Sequence, residues 1–424
     1  MTSQSPVLLT TASYHGTLAA VRNLGHAGIP ITLAYSSWLG PSCWSRYVTQ
    51  RRRSPSPVEG QLFVEWLLDF AKGQPRHVLC PTCDDTAWLY ARYRDELSER
   101  YHLSGVSVDA VYGVLNKQQL YASCRSVGID TPEAWFPRCS KELEALADDL
   151  PFPVMIKPKT QILYPSKAKG DVVENRSELS ERYASMSALR YAPPLDTYDP
   201  DVAWPMLQEY CPEAAGGIYN LAGFVTPTGE AMVLRASTKI LQHPRRLGTG
   251  ICFERSELEP ELARKLLDLC HRLGYYGVFE VEFVRRGDRF LLVDFNPRFY
   301  GEMAFEIERG LQLPQLAYAL ALGDHETVSR LCRECAEEPS AAPHTHADRL
   351  RFEILVRSQA LSGVLSAPEA RAWREWYQGS NARRSDPVVD PDDWVPALID
   401  ALSCSWSYVR HPRSFLRSIV LDKC

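Results

Sequence analysis

The sequence predicts two architectures in one chain: an α/β domain with an open parallel sheet at the N-terminus, then an α+β region of hairpins and amphipathic helices. Three observations carry this. Apolar strands and amphipathic helices alternate up to about residue 81, the order of a parallel sheet with crossover helices. From about residue 110 the strands come instead as neighbours joined by short polar turns, the pattern of antiparallel hairpins. A chain of 424 residues exceeds what one core usually holds, so two or three domains are expected.

Taken in order, "PVLLTT" reads as a buried strand, "GTLAAVRNLGHAG" as an amphipathic helix closed by Gly28, and "IPITLAYSS" as the next strand. "VEGQLFVEWLLDFAKG" is a second helix and "RHVLCP" a third strand. Ligands of open parallel sheets sit beyond the carboxyl ends of the strands, where "ASYHG" and "PTCDD" fall. His15, Thr82, Asp84 and Asp85 are therefore site candidates, with turn residues and a helix cap as an equally good account of them. No G-x-G-x-x-G follows the first strand, so no dinucleotide site is read here.

In the second region "NKQQLYASCRSVGIDTPEAWF" is a helix opened near Asn116 and stopped by Gly128. "FPVMIKPK" is a short buried strand ending in lysines, and "AWPMLQEYCPEA" a strand that breaks at Cys211-Pro212. "IYNLAGFVTPTGEAMVLRAST" alternates as a hairpin around Pro227-Thr228-Gly229. "ELEPELARKLLDLCHRLGYYG" is an amphipathic helix, and "EMAFEIERGLQLPQLAYALALG" a helix pair. Beyond about residue 325 the pattern weakens: "CAEEPSAAPHTHAD" reads as a polar linker and "SYVRHPRSFLRSIVL" as a basic helical tail.

Composition narrows the function. With 45% hydrophobic residues, 23% charged residues and a net charge of −5, there is no basic surplus for nucleic acid, and no run of 18 apolar residues for a membrane span. The first residues lack a signal-peptide pattern, and 12 cysteines without one point to reduced thiols in the cytoplasm. Cys80/Cys83 and Cys332/Cys335 have metal-like spacing, but each pair offers two sulfurs and the pairs lie far apart, so free cysteines are the better reading than zinc.

The informative stretch is "VFEVEFVRRGDRFLLVDFNPRFYG", residues 278 to 301. Alternation places Glu280, Glu282 and Val284 on one strand face, and Phe290, Leu292, Asp294 and Asn296 together on the next. A three-residue loop, Gly287-Asp288-Arg289, sets Glu282 across from Asp294 and Glu280 across from Asn296. Opposed like charges destabilise a sheet, and a divalent cation that takes oxygen ligands removes the conflict; a solvated outer face is the plainer alternative. Pro297 ends the pairing, and Arg298 follows with its bidentate donor fork.

A strand Glu, an acidic residue 12 positions on (282 to 294), an Asn two further and then Pro-Arg resemble the metal-binding signature of the ATP-grasp superfamily. The resemblance runs from the N-terminus to about residue 323. It implies a pre-ATP-grasp Rossmann-like domain over 1–110, a two-lobed ATP-grasp module over 111–325 with a lid at about 154–210, and an extension over 326–424. It implies ATP with two Mg²⁺, or Mn²⁺ in their place, Glu282, Asp294 and Asn296 being the metal ligands. Lys117 and Lys157 stand where the family places phosphate lysines, which act as point charges. "LQEYCPE" resembles the adenine-lining segment, with Cys211 bonding through its backbone, Gln208 or Glu209 accepting from the amino group and Glu213 holding the ribose.

Two departures from the family pattern stand out. The usual glycine-rich flap is replaced by "PKTQILYPSKAKGDVV" with a single glycine, so Lys167 and Lys169 would supply charge. Asp294 stands where Glu is commoner. Over the acceptor site the candidates are Arg235, Lys239, Arg245 and Arg246, and the favoured anion-holding pair is Lys239 and Arg298.

The expected activity is that of a carboxylate–amine ligase: a carboxylate attacks the γ-phosphate, an amine displaces phosphate from the acyl phosphate, and ADP is released. The expected partners are a small-molecule carboxylate and an amine, such as amino acids in a biosynthetic route, with a homodimer as the expected assembly. The alternatives are a bicarbonate-activating carboxylase, disfavoured by the missing flap and by the lack of a biotin-carrier segment, and a non-catalytic ATP-binding protein, disfavoured by the intact metal strand.

Overall fold

The computed structural model describes residues 4–166, 170–244, 248–379 and 383–422. The N-terminal unit is built from β1 (Val7–Leu9), α1 (His15–His26), β2 (Ile31–Tyr35), β3 (Val48–Arg53), α2 (Gln61–Phe70), β4 (His77–Leu79), α3 (Asp84–Arg92), α4 (Arg94–Ser98) and β5 (Tyr101–His102). All its strands are parallel, in the order β3-β2-β1-β4-β5. The chain leaves β1 toward β2 on one side and returns to β4 on the other, so the crevice beyond β1 and β4 is the switch point at which such sheets take ligands. The strand β3, "VTQRRR", is absent from the sequence reading for a physical reason. Only Val48 of it is buried, and an edge strand with charged side chains carries almost no hydrophobic pattern.

Helices α5 (Val108–Leu115) and α6 (Lys117–Ser126) lead into a four-stranded sheet. This unit contains β6 (Ala134–Trp135), α7 (Ser140–Leu146), β7 (Val154–Lys157), β8 (Asp171–Val173), α8 (Arg176–Ser187), α9 (Pro193–Tyr198) and β9 (Met206–Glu209), its strands ordered β6-β9-β7-β8 in the sheet. Asn116 caps α6 through its side chain, accepting from the backbone of Gln118 and Gln119, which is the chemistry expected of Asn before a helix. Val154, Ile156 and Leu207 pack with Leu143, Leu179 and Tyr183 of α7 and α8 into a small core of this lobe.

The largest sheet comprises β10 (Ile218–Val225), β11 (Met232–His243), β12 (Thr249–Ser256), β13 (Gly277–Arg286) and β14 (Arg289–Asn296), with α10 (Pro260–Leu273) before the last hairpin. Helices α11 (Met303–Glu308), α12 (Leu313–Leu322) and α13 (His325–Glu334) follow. Then come β15 (His344–Ala347), α14 (Arg349–Ser362), α15 (Ala367–Gln378), β16 (Arg383–Ser385) and α16 (Val395–Arg410). The sheet order is β14-β13-β10-β11-β12-β15-β16. One face is apolar: Phe279, Val281, Phe283, Leu292 and Phe295 are fully buried against α5, α6 and α10. A second cluster joins β1 and α1 to α12 and the far end of β10, so the N-terminal unit is packed against the antiparallel module.

The expected polar linker is corrected here. "HTHA" is strand β15, which pairs antiparallel with β12 and extends the sheet. His344 and His346 are buried; His346 bonds Ser385 at 2.8 Å and stacks on Phe305, while His344 meets the Phe305 ring edge-on and its buried Nε2 has no hydrogen-bond partner. Three polar residues in four hid a strand whose stability comes from backbone pairing and ring packing. Among the described residues no helix is long and apolar enough to cross a membrane.

Candidate active site

The hairpin β13–β14 sets the site, and it does so by a different turn than expected. Arg286 pairs with Arg289, leaving the two-residue loop Gly287-Asp288, with Gly287 at φ +61°, a conformation that favours glycine at the first loop position. The missing residue is restored by a bulge. The pairing shifts between Glu282 and Phe283, so Val293 stands unpaired and Glu282 still faces Asp294, with Glu280 facing Asn296. Phe290 and Leu292 consequently lie opposite Arg285 and Phe283, away from Asp294, and Leu292 enters the core. The bulge also turns the Val293 carbonyl toward α6, where it accepts from Lys117 Nζ at 3.2 Å and from the Tyr121 hydroxyl at 3.4 Å.

Each opposed carboxylate has its own lysine. Lys117 Nζ lies 2.7 Å from Asp294 Oδ1, and Lys239 Nζ lies 2.8 Å from Glu282 Oε1. Burial alone would lower the Lys239 amine, but the Glu282 charge outweighs it and raises it. Asn296 donates to Glu280 Oε2 at 2.5 Å, and its own oxygen accepts from Arg298 Nη2 at 2.8 Å. The Arg298 guanidinium is further held by Asp84 at 2.7 Å and by the Phe299 carbonyl at 3.1 Å. Five N–H donors against these three partners leave part of its fork free.

The four-stranded sheet contributes Lys157, buried at the end of β7, whose amine donates to Gln208 Oε1 at 3.1 Å. Burial, and then the nearby Lys117 charge, bring its pKa down to about 7. Gln208 is fully occupied at that oxygen, which also accepts from the Tyr121 hydroxyl at 2.9 Å. Further along, Glu209, Cys211 and Glu213 gather around Arg286: its guanidinium reaches Glu209 at 3.1 Å, Glu213 at 2.9 Å and the Cys211 sulfur at 3.2 Å. Glu213 Oε2 is buried without a partner.

The structure thus brings Lys117, Lys157, Lys239, Glu282, Asp294, Asn296 and Arg298 together, with Gln208 behind Lys157 and Glu209, Cys211 and Glu213 around Arg286 at the end of β9. Arg235 is not part of this group. Its guanidinium is taken by the carbonyls of Leu234, Arg309, Cys335 and Glu337 at 2.8 to 3.0 Å, where it ties the chain after α13 to β11. Arg245, Arg246, Lys167 and Lys169 lie outside the described residues. Of the switch-point candidates, only Asp84 reaches the site. Thr82 bonds Thr10 at 2.6 Å and Asp85 accepts from the Leu163 backbone at 2.6 Å. His15 lies 3.3 Å from Asp400, in an ion network in which Arg351 pairs with both Asp348 and Asp400.

Sequence reasoning missed Tyr121, Arg286, Asn220 and Glu302. Tyr121 was detectable, because it stands four residues after Lys117 on one helix face. Arg286 carried no signal beyond its place beside a turn. Glu302 accepts from Asn220 Nδ2 at 3.3 Å, and burial first of all pushes its pKa up to about 7.

No protein-family model matches the chain, and no curated protein does. Solved structures do. The chain is similar to the biotin carboxylase domain of 2-oxoglutarate carboxylase from Hydrogenobacter thermophilus, solved with MgADP, ADP and bicarbonate (TM-score 0.59, 15% identity, 76% of this chain and 70% of that one). It is similar to L-amino acid ligase from Bacillus licheniformis (TM-score 0.56, 12% identity, 81% and 80%). It is also similar to phosphoribosylglycinamide synthetase from Anaerococcus prevotii (TM-score 0.54, 13% identity, 81% and 80%). At these identities the likeness is one of architecture: a parallel N-terminal sheet followed by the two antiparallel lobes, which is the ATP-grasp fold.

Proposed function

We propose that the protein is an ATP-dependent ligase that activates a carboxylate as an acyl phosphate and joins it to an amine, releasing ADP and phosphate. One observation carries this reading: Glu282 and Asp294 face each other across β13 and β14, each held by a separate lysine. Opposed carboxylates of this kind, with Asn296 beside them, make an all-oxygen donor set suited to Mg²⁺. The buried Glu213 oxygen without a partner is the kind of acceptor a ribose hydroxyl satisfies. The residues therefore fit MgATP. Mg²⁺ held by Glu282, Asp294 and Asn296 would neutralise phosphate charge. Lys117 and Lys157 approach from α6 and β7, so a triphosphate would be gripped from two lobes. Lys239 beside Glu282 and Arg298 beside Asn296 would orient an incoming acid.

The test is ADP release in a coupled assay over pairs of candidate acids and amines, with bicarbonate as a separate arm. ADP formed only when both an acid and an amine are present supports the reading. AMP and pyrophosphate rule out an acyl-phosphate ligase, and ADP release that depends on bicarbonate alone moves the protein to carboxylation.

A further inference from the structure

Glu280 is the residue the scheme above does not use. It is 2% exposed, and its Oε1 has no hydrogen-bond partner. Two neighbours on the same sheet face share that condition. Asn220 faces Glu282 across β10 and β13, and Ser237 faces Asn220 across β10 and β11. Both are 1% exposed, and Asn220 Oδ1 and Ser237 Oγ are buried without a partner. The Asn220 amide is already oriented: its Nδ2 donates to Glu302, so its oxygen is left as an acceptor. Leaving buried polar atoms unpaired is costly, and acceptors grouped in this way call for a donor.

The charge has the same sense. Glu282 and Glu302 lie beside Glu280, and Lys239, already paired with Glu282, is the lysine set against them. A metal ion shared by these three carboxylates does not suit the spacing. Among the described residues only His15, Asp348 and Asp400 bring three such ligand atoms within 4.8 Å of one another. Glu282 keeps 20% of its side-chain surface exposed, whereas Glu280 beside it on the same face is 2% exposed.

We infer that this face is a binding subsite for a primary ammonium group of one substrate, with Glu280 Oε1 and Asn220 Oδ1 as acceptors and Glu302 as the neutralising charge. A primary ammonium carries three N–H donors, enough for Glu280, Asn220 and the Ser237 hydroxyl. The inference rests on the ligase reading in so far as the ligand is a substrate; the subsite itself is testable without turnover.

The experiment is a thermal-shift series on the full chain with MgATP present, because a ligand that binds the folded state raises Tm. The probes are matched pairs at one concentration: L-alanine against L-lactate, L-phenylalanine against phenyllactate, and putrescine against butanediol. The expected result is a rise of a few degrees with at least one amine and not with its hydroxyl partner, lost in Glu280→Gln. The unliganded Tm of that variant reports whether it folds. Should it not, Asn220→Ala, which removes the second acceptor and keeps Glu280, is expected to cut the shift at least by half. Equal shifts from both members of every pair, no amine-dependent shift at all, or a shift from magnesium chloride alone that Glu280→Gln abolishes would each overturn the subsite. Failure of MgATP itself to raise Tm would count against the nucleotide reading, and an amine-dependent shift in that case would leave the subsite standing.

Discussion

Arg298 Nε lies 2.7 Å from Asp84 Oδ1, so a residue at the start of α3 in the parallel sheet orients a guanidinium beside the opposed carboxylates of the antiparallel one. Both side chains are 19% exposed, and the Asn296 oxygen holds a second edge of the same guanidinium. Asp84→Asn keeps an acceptor but removes the charge that fixes the fork. Turnover should fall roughly tenfold to a hundredfold with little change in ATP affinity, as expected when a preorganised donor is loosened. Steady-state kinetics with nucleotide titration check this, and a full-rate Asp84→Asn enzyme would mean that Arg298 is held well enough by Asn296 and the Phe299 carbonyl.

Asp294 is 43% exposed on its side chain and pairs with Lys117, so its replacement should leave the fold alone. Asp294→Asn is expected to lower turnover by at least about a hundredfold, with Tm within a few degrees of the parent. Raising Mg²⁺ should recover part of the lost rate. Parent-like turnover at ordinary Mg²⁺ would remove Asp294 from the metal set.

The carboxylate pair was legible in the sequence because alternation along two strands and a short turn bring residues of like charge face to face, whatever the surroundings. Its exact construction was not. A two-residue turn plus a bulge at Val293 gives the same Glu282–Asp294 pairing as a three-residue turn, and the two differ only in where Phe290 and Leu292 point. The lysines were legible from their places at a helix start and a strand end. Arg286 and Asn220 were not, because what makes them matter is contact with residues distant in the chain. β15 shows the same limit: "HTHA" has neither apolar alternation nor turn chemistry, and becomes a strand because β12 offers it a partner edge.

Lys157 is buried at the end of β7 with the Lys117 charge nearby. Burial and the Lys117 charge bring its pKa down to about 7, whereas in an unfolded chain it titrates near about 10.4. Between those values the unfolded chain binds the extra proton, so this group makes stability rise with pH from about 7 to about 10. Lys157→Met should therefore melt higher than the parent at about pH 6, and the gap should close toward about pH 10. The same variant should lose the MgATP-induced rise in Tm. A Lys157→Met protein that melts lower at neutral pH, or that keeps the nucleotide shift, would identify Lys157 as a packing residue.

Asp85 makes the opposite prediction about pH. Its Oδ1 accepts the Leu163 backbone N–H at 2.6 Å, which pins the loop after β7 to the N-terminal unit while Ile162, Leu163 and Tyr164 are buried in the main core. Burial, as the largest effect, pushes the Asp85 carboxyl up to about 7, with the Leu163 bond pulling the other way. A carboxyl raised above its unfolded value of about 3.9 keeps its proton longer in the folded state. Its contribution is full below about pH 4 and is lost as pH rises through about 7. Asp85→Asn still offers an oxygen to Leu163 but no longer titrates. The Tm of the variant minus that of the parent should therefore grow as pH is raised from about 5 to about 8, because other titrating groups cancel in the difference. A difference that is flat over that range would mean that Asp85 is ionised throughout. A difference that falls would mean that its charge, and not its acceptor oxygen, is what anchors the loop.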